Sequence, residues 1–284
     1  MCFICDFKSR PPAESTRPWQ ARRAFLLAAA TTASGAPALA QVDVGKASSL
    51  RKLVPAEDIE KAGAQQFVAT VNEAQKKKAL VPSSAPQSQR LNRIAQRLIP
   101  HAAAWNPRAR QWQWQVALIQ SDQINAFCLP GGKIAFYTGI LDQLALSDDE
   151  AAMIMGHEMA HALREHARER LAKSTATNLG LRLGSELLGL GNLGAAAADL
   201  GTQLLTLRFS REDEGEADLV GLELAARGAY RPSASVSLWK KMSAANERRN
   251  LSFLSTHPSG PDRIRQLQTN LPKVQGLYEA ARKG

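Results

Sequence analysis

The segment Gly156–His161 is Gly-His-Glu-Met-Ala-His, which contains the pattern His-Glu-x-x-His. On a helix, His157 and His161 lie one turn apart on the same face, with about 6 Å between their β-carbons, so both imidazoles can reach one metal ion. Glu158 lies beside the open side of that metal, where it can take a proton from an attacking water and pass it to a leaving amine. The segment therefore predicts a hydrolytic zinc site on a helix.

The flanking residues predict the helix that this motif requires. Ser147 and Glu150 form the Ser-x-x-Glu pattern of a capping box, about ten residues before the first histidine. The run Ala151–Met155 has high helix propensity and is apolar, as expected of a buried helix. The predicted metal ligands therefore lie inside a helix rather than at its end.

Two histidines leave zinc short of a ligand, and the spacing of later residues limits the choice. Metzincins need Gly and His where Arg164 and Ala167 stand, so that class is excluded. Two carboxylates remain as candidates, Glu186 and Glu214. Glu214 is preferred because it begins a Glu-x-x-x-Asp pair with Asp218 on one helical face, where Asp218 can orient a ligand histidine. Ser210 and Asp213 are predicted to cap that second helix.

Four motifs, in order, resemble the HtpX-like and CAAX-prenyl-protease-like zinc metallopeptidases, in particular their periplasmic branch. They are Asn-Ala-Phe-x-x-Pro-Gly-Gly at 125–132, His-Glu-x-x-His at 157–161, Ser-Arg-x-x-Glu-x-x-Ala-Asp at 210–218 and Thr-His-Pro-Ser at 256–259. The resemblance implies a gluzincin with Glu214 as third ligand and one Zn²⁺ per chain. It also implies quality control of envelope or outer-membrane proteins as the biological role.

Substrate binding is predicted at a pair of strands before the motif. Gln113–Gln120 and Lys133–Thr138 are rich in β-formers, and Pro130–Gly132 is predicted as a turn joining the two strands. An edge strand here would hold an extended peptide over the metal. Substrate contacts are assigned to Asn125, Gly131 and Gly132. For Asn125 a turn-capping role is the alternative.

The remaining histidines receive different interpretations. His257 follows Thr256 in a loop and is predicted either to stabilise the oxyanion of the tetrahedral intermediate or to cap the zinc at rest; a helix-capping or surface role is the alternative. His166 lies about 140° round the helix from His161 and so cannot share the zinc. His101 is expected at the surface.

The first forty residues predict an export leader. Arg22 and Arg23 begin a twin-arginine-like pattern, an apolar run follows, and Ala38-Leu39-Ala40 fits a signal-peptidase site. The prediction is a signal peptide over residues 1–40, cleaved after Ala40, and a periplasmic location, by the twin-arginine or the general secretory route. The alternative is a disordered N-terminus. Cys128 then remains as the single cysteine, with apolar flanks that indicate a buried thiol.

The whole pattern predicts a zincin-like α+β fold, mostly helical, with a small β-sheet beside the His-Glu-x-x-His helix. Residues 41–110 are assigned to an N-terminal helical part and residues 111–284 to the metallopeptidase core. The net charge is +10, but the one tight basic run, Lys76–Lys78, lacks interleaved aromatics, which argues against nucleic acid and leaves peripheral membrane contact open. The longest uncharged run in the Leu/Gly/Ala-rich segment, 187–198, has 12 residues, too few to cross a bilayer.

These features predict a zinc metalloendopeptidase that cleaves unfolded or envelope proteins in the periplasm, its oligomeric state open. The competing hypothesis is a zinc-containing envelope chaperone or scaffold with little or no proteolysis. Glu158 favours the enzyme, because a structural zinc site needs no general base and fills all four coordination positions with protein ligands.

Overall fold

The computed structural model describes residues 42–181, 193–248, 252–258 and 260–284. The predicted leader over residues 1–40 and the alternative ligand Glu186 lie outside these ranges. The described residues are mostly helical, with a small mixed sheet. The helices are α1 (Ala56–Lys76), α2 (Pro86–Leu98), α3 (Thr138–Gln143), α4 (Asp148–Leu163), α5 (His166–Leu181), α6 (Leu193–Thr206), α7 (Arg211–Arg227), α8 (Ala234–Arg248), α9 (Ser252–Thr256) and α10 (Pro261–Ala281). The strands are β1 (Gln115–Ile119), β2 (Ala126–Leu129) and β3 (Lys133–Tyr137).

The sheet has the order β1-β3-β2, with β3 parallel to β1 and antiparallel to β2. The predicted turn at Pro130–Gly132 joins β2 to β3, so the expectation that it joins the two predicted strands directly was wrong. Strand β2 was not predicted, because four residues are too few to show an alternating pattern. Gly131 and Gly132 have φ of +85° and +78°, a left-handed conformation that favours glycine.

The two helices that carry the predicted ligands both begin with a capping box. The Ser147 hydroxyl accepts from the N–H of Glu150, whose carboxylate accepts from the N–H of Ser147; Ser210 and Asp213 repeat this at α7. These bonds confirm the predicted helix starts. Glu150 also accepts from the Lys241 ammonium at 2.7 Å, which ties α8 to the start of α4.

Helices α4 and α7 cross at a pair of glycines, Gly156 on α4 and Gly221 on α7, so neither helix has a side chain at the crossing point. A Cβ on Gly156 would lie 2.8 Å from the carbonyl oxygen of Gly221, and a Cβ on Gly221 would lie 2.6 Å from the nitrogen of His157. The two backbones therefore approach each other without an intervening side chain. Glu214 lies two turns before Gly221 on α7, and the close crossing brings it within reach of the histidines on α4.

We expect Gly221→Ala to lower the free energy of unfolding by about 1–3 kcal/mol, because the added methyl group overpacks against the α4 backbone. The matched control is Gly276→Ala on α10, where a Cβ meets no atom within 4 Å. That change should instead raise stability by about 0.5–1 kcal/mol through helix propensity. Urea denaturation of the three proteins measures both effects, and equal midpoints for the two variants would contradict the tight crossing.

Two smaller predictions have clear outcomes in the described residues. Cys128 is a free cysteine with 8% of its surface exposed, which confirms the buried thiol. His101 is partly buried instead of lying at the surface.

Among the helices of the described residues, none combines the length and apolar character that a membrane-spanning segment needs.

Candidate metal centre

Four buried side chains meet where α4 crosses α7. His157 and His161 come from α4, Glu214 from α7, and His257 from the residue after α9; one ligand atom from each lies within 4.8 Å of the others. The N–H of His257 donates to the carbonyl oxygen of Phe253 at 2.9 Å, so His257 extends the last turn of α9. Three chain segments far apart in sequence therefore contribute to one cluster.

The spacing of the donor atoms fits a tetrahedral zinc site. Nε2 of His157 and Nε2 of His161 are 3.1 Å apart, and each lies 3.5 Å from a carboxylate oxygen of Glu214. Nδ1 of His257 is 3.3 Å from Nε2 of His157 and 3.1 Å from Oε1 of Glu214. Bonds of about 2.0–2.2 Å in tetrahedral geometry separate zinc ligands by about 3.3–3.6 Å. Most of the observed separations are close to this range, so the four donor groups, His257 included, could hold one metal ion such as zinc.

A buried ion-pair network supports two members of this cluster. Oδ1 of Asp218 lies 3.1 Å from Nδ1 of His157, as expected for a residue that orients a ligand histidine. The Arg263 guanidinium donates two hydrogen bonds of 2.7 Å to Asp218 and lies 2.7 Å from Oε2 of Glu214. The same guanidinium lies over the Trp239 ring, 3.7 Å from its centroid. The network fixes His157 so that Nε2 points into the cluster.

Burial and these charges shift the pKa values of the cluster in opposite directions. Burial acts to lower the pKa of His157, but the carboxylates of Asp218 and Glu214 outweigh it and raise the pKa to about 9. Burial lowers the pKa of His161 well below its usual value. Against the effect of burial, hydrogen bonds from the histidines lower the pKa of Glu214. Metal binding would displace the proton of His157, since ligand histidines are neutral.

Glu158 lies beside the cluster with one carboxylate oxygen free. The residue is 3% exposed, and its Oε1 is 3.6 Å from Nε2 of His257. Among the described residues, that oxygen has no hydrogen-bond partner. Leaving a buried polar atom unpaired costs about 1–3 kcal/mol, so such atoms often mark a functional role. Burial also raises the pKa of Glu158 above its usual value.

A cleft opens onto the cluster. Its lining includes strand β2, the end of α6 with the chain that follows it, and the site residues Glu158, His161 and His257. In the described residues β2 is an edge of the sheet, so its outer backbone groups can pair with an extended peptide. The ring of Phe209 also lines the cleft and stacks on His161, with 4.0 Å between the ring centroids.

Of the three residues predicted to contact substrate, the structure places one in the cleft and two in the β2–β3 turn. Asn125 lines the cleft, and its Oδ1 accepts from the N–H of Ala126 at 3.0 Å, an arrangement compatible with both of its predicted roles. Gly131 and Gly132 are not among the residues that line the cleft. They form the β2–β3 turn, where a Cβ on Gly132 would come within 2.7 Å of the Trp114 ring. Their positions therefore serve the turn.

Sequence reasoning assigned no role to two residues that contact the ligands. Arg263 stands six residues after His257, just beyond the fourth motif. His166 was considered only as a metal ligand and was excluded; it lies outside the cluster of four donors, but its Nδ1 is 2.9 Å from Nδ1 of His161. The available signals were an arginine six residues after the predicted site residue His257 and a histidine just beyond the end of the motif helix.

A His-Glu-x-x-His helix, a carboxylate from a second helix and a small mixed sheet together define a metallopeptidase of the zincin type. The chain belongs to Peptidase family M48, which matches residues 85–271. It is 33% identical over 205 residues to mitochondrial metalloendopeptidase OMA1 of Schizosaccharomyces pombe, covering 71% of this chain and 58% of that protein. It is 30% identical over 218 residues to mitochondrial metalloendopeptidase OMA1 of Saccharomyces cerevisiae, covering 72% of this chain and 62% of that protein. It is 25% identical over 202 residues to metalloprotease LoiP of Escherichia coli, covering 70% of this chain and 76% of that protein.

These comparisons confirm some of the predictions and correct one. Family membership confirms the predicted metallopeptidase class, whereas the HtpX-like branch is a narrower assignment than the match supports. The predicted periplasmic location is wrong, because the two yeast relatives are mitochondrial by name and share more identity with the chain than the E. coli protein does. Arginine-rich leaders also characterise mitochondrial transit peptides, so the leader pattern alone did not separate the two compartments. The chain spans about 60% of the length of the yeast relatives.

Proposed function

We propose that the chain is a zinc-dependent metalloendopeptidase that hydrolyses peptide bonds within unfolded proteins and so serves protein quality control. One observation carries the proposal: a buried carboxylate oxygen of Glu158, free of hydrogen bonds, lies beside a cluster of three histidines and a glutamate that could hold a metal ion. The reported relatives, which are named metalloendopeptidases or a metalloprotease, support the same activity.

Different residues of the site would bind the metal, transfer the proton and orient a ligand. A zinc ion held by His157, His161 and Glu214 would polarise the scissile carbonyl and lower the pKa of the attacking water. Glu158 accepts the proton of that water at its free Oε1 and delivers it to the leaving amine. Asp218 holds His157 in place, so the ligand geometry needs no reorganisation during the reaction.

The cleft favours an extended substrate over a folded one. Backbone pairing with the outer side of β2 would align a peptide over Glu158 with little demand on its side chains. The backbone groups of a folded protein are already paired and are not free to add to an edge strand. An unfolded segment meets this requirement without the cost of local unfolding.

Incubation with a reduced, unfolded test protein and with its native form tests the proposal. The zinc-loaded enzyme should cleave the unfolded form faster, a chelator should abolish cleavage, and added zinc should restore it. Full zinc occupancy without cleavage would favour the chaperone or scaffold alternative, and cleavage that survives removal of the metal would contradict the zinc mechanism.

We further propose that His257 closes the site at rest. Its Nδ1 occupies the fourth position of the donor set, which a catalytic zinc site keeps open for water. His257 must therefore withdraw before hydrolysis. The preceding residue, Thr256, accepts at its carbonyl oxygen from the N–H of Phe209 at 3.3 Å, so this withdrawal is coupled to a wall of the cleft.

We expect His257→Ala to raise kcat/KM for an unfolded protein severalfold, because the fourth position is then open without a prior movement of the chain. Steady-state kinetics at full zinc occupancy measures the change. A fall of about 10²- to 10³-fold would instead assign His257 to oxyanion stabilisation.

A further inference from the structure

We propose that His166 is a positioning residue for the ligand His161 and that it acts through a chain of hydrogen bonds ending on the backbone of residues 44 and 45. The proposal rests on the proposed function, since it treats His161 as a metal ligand. His166 is 2% exposed and is the first residue of α5.

The first link joins the two imidazoles. Nδ1 of His161 and Nδ1 of His166 are 2.9 Å apart, while Nε2 of His161 points toward His157 and Glu214. A histidine that binds a metal through Nε2 keeps its proton on Nδ1. His161 therefore donates, and His166 accepts at Nδ1.

The following links have consistent donors and acceptors. Because Nδ1 of His166 accepts, its proton is on Nε2, which lies 3.3 Å from Oε2 of Glu216. The same oxygen accepts from the Arg164 guanidinium at 2.7 Å. Arg164 in turn donates to the carbonyl oxygens of Gly45 at 3.1 Å and Val44 at 3.4 Å. Each of these hydrogen bonds therefore pairs one donor with one acceptor, and one set of proton positions satisfies them all.

The fold explains why a histidine stands between the ligand and the carboxylate. Glu216 lies two residues after Glu214 on α7, about 200° further round the helix, so it cannot face the cluster with Glu214. His166 bridges the distance. Glu165, with φ of +61°, lies between the end of α4 and the start of α5 and turns the chain so that His166 returns toward His161.

The two ligand histidines thus have comparable supports. His157 is held by Asp218, whose carboxylate is clamped by Arg263. His161 is held by His166, which contacts the Glu216 carboxylate, and that carboxylate is in turn bound by Arg164. Supports of this kind typically contribute about 10- to 100-fold to metal affinity.

Zinc affinity, measured by competition with a chromophoric chelator, tests the proposal. We expect His166→Phe, which keeps an aromatic ring but has no acceptor, to weaken zinc binding about 10- to 100-fold. His166→Asn, which can place Oδ1 where Nδ1 lies, should recover most of that loss. His101→Phe, at a partly buried histidine of the 3₁₀ turn Ile99–Ala104, is the control and should bind zinc as the wild type does.

Two results would overturn the proposal: unchanged zinc affinity in His166→Phe, or equal losses in the Phe and Asn variants, which would indicate a packing role only. Carrying all variants in a Glu158→Gln background makes the measurement independent of cleavage. Failure of the parent protein to bind zinc would refute the proposed function itself and is therefore distinguishable from failure of this inference.

Discussion

Glu158→Gln is expected to lower kcat for cleavage of an unfolded protein by about 10²- to 10⁴-fold, with zinc content unchanged at about one per chain. The amide keeps the size of the side chain but cannot accept a proton from water. Glu158 is not among the four residues whose donor atoms cluster, so zinc binding should survive. Metal analysis and steady-state kinetics on the same preparation separate the two effects.

The matched control for this loss is Glu212→Gln, at an exposed glutamate in the first turn of α7. It removes the same charge and should leave both zinc content and kcat unchanged. A Glu158→Gln protein that retained most of its activity at full zinc occupancy would contradict the general-base assignment. Its unfolding midpoint should not fall, because the substitution removes a buried carboxylate oxygen that had no partner.

Glu214→Gln is expected to abolish stable zinc binding, with an affinity loss greater than about 100-fold and a corresponding loss of activity. Removal of a ligand should exceed the 10- to 100-fold effect of its supporting residues. Glu214 is fully buried between the histidines and Arg263, so no nearby water can replace the carboxylate without rearrangement. Metal analysis after gel filtration gives the zinc content.

The matching variant is Glu186→Gln, at the other carboxylate that the sequence offers. It should keep zinc and activity. Loss of zinc in the Glu186 variant alone would overturn the assignment of Glu214. A urea denaturation curve for each variant is needed as well, because Glu214→Gln also removes a partner of the buried Arg263.

Much of the site was predictable because its decisive spacings are local. His157, Glu158 and His161 lie within two turns of one helix, and Glu214 and Asp218 are one turn apart on another. Both helices begin at capping boxes that can be recognised in four residues. Such interactions depend on residues three or four positions apart, so they can be inferred without the rest of the fold.

Other features depend on contacts that no local pattern records. Strand β2 is too short to show a period, and it forms because β3 pairs with it. From the sequence, His257 could act at the metal site, cap a helix or lie at the surface, and it is α9 that brings it into the cluster. His166 was excluded as a ligand by assuming a continuous helix, whereas a single left-handed residue, Glu165, turns it back toward His161.

By itself, the sequence determined the class of chemistry: a metal bound by two histidines one helical turn apart, a general base beside them and an acidic pair on a second helix. The tertiary structure alone decided which side chains complete that site. Gly156 and Gly221 let α4 and α7 approach closely, and His257 and Arg263 join them from positions 36 and 42 residues after Gly221. The physical reason is that helix geometry fixes neighbours within a turn, while the approach of distant segments depends on packing across the whole core.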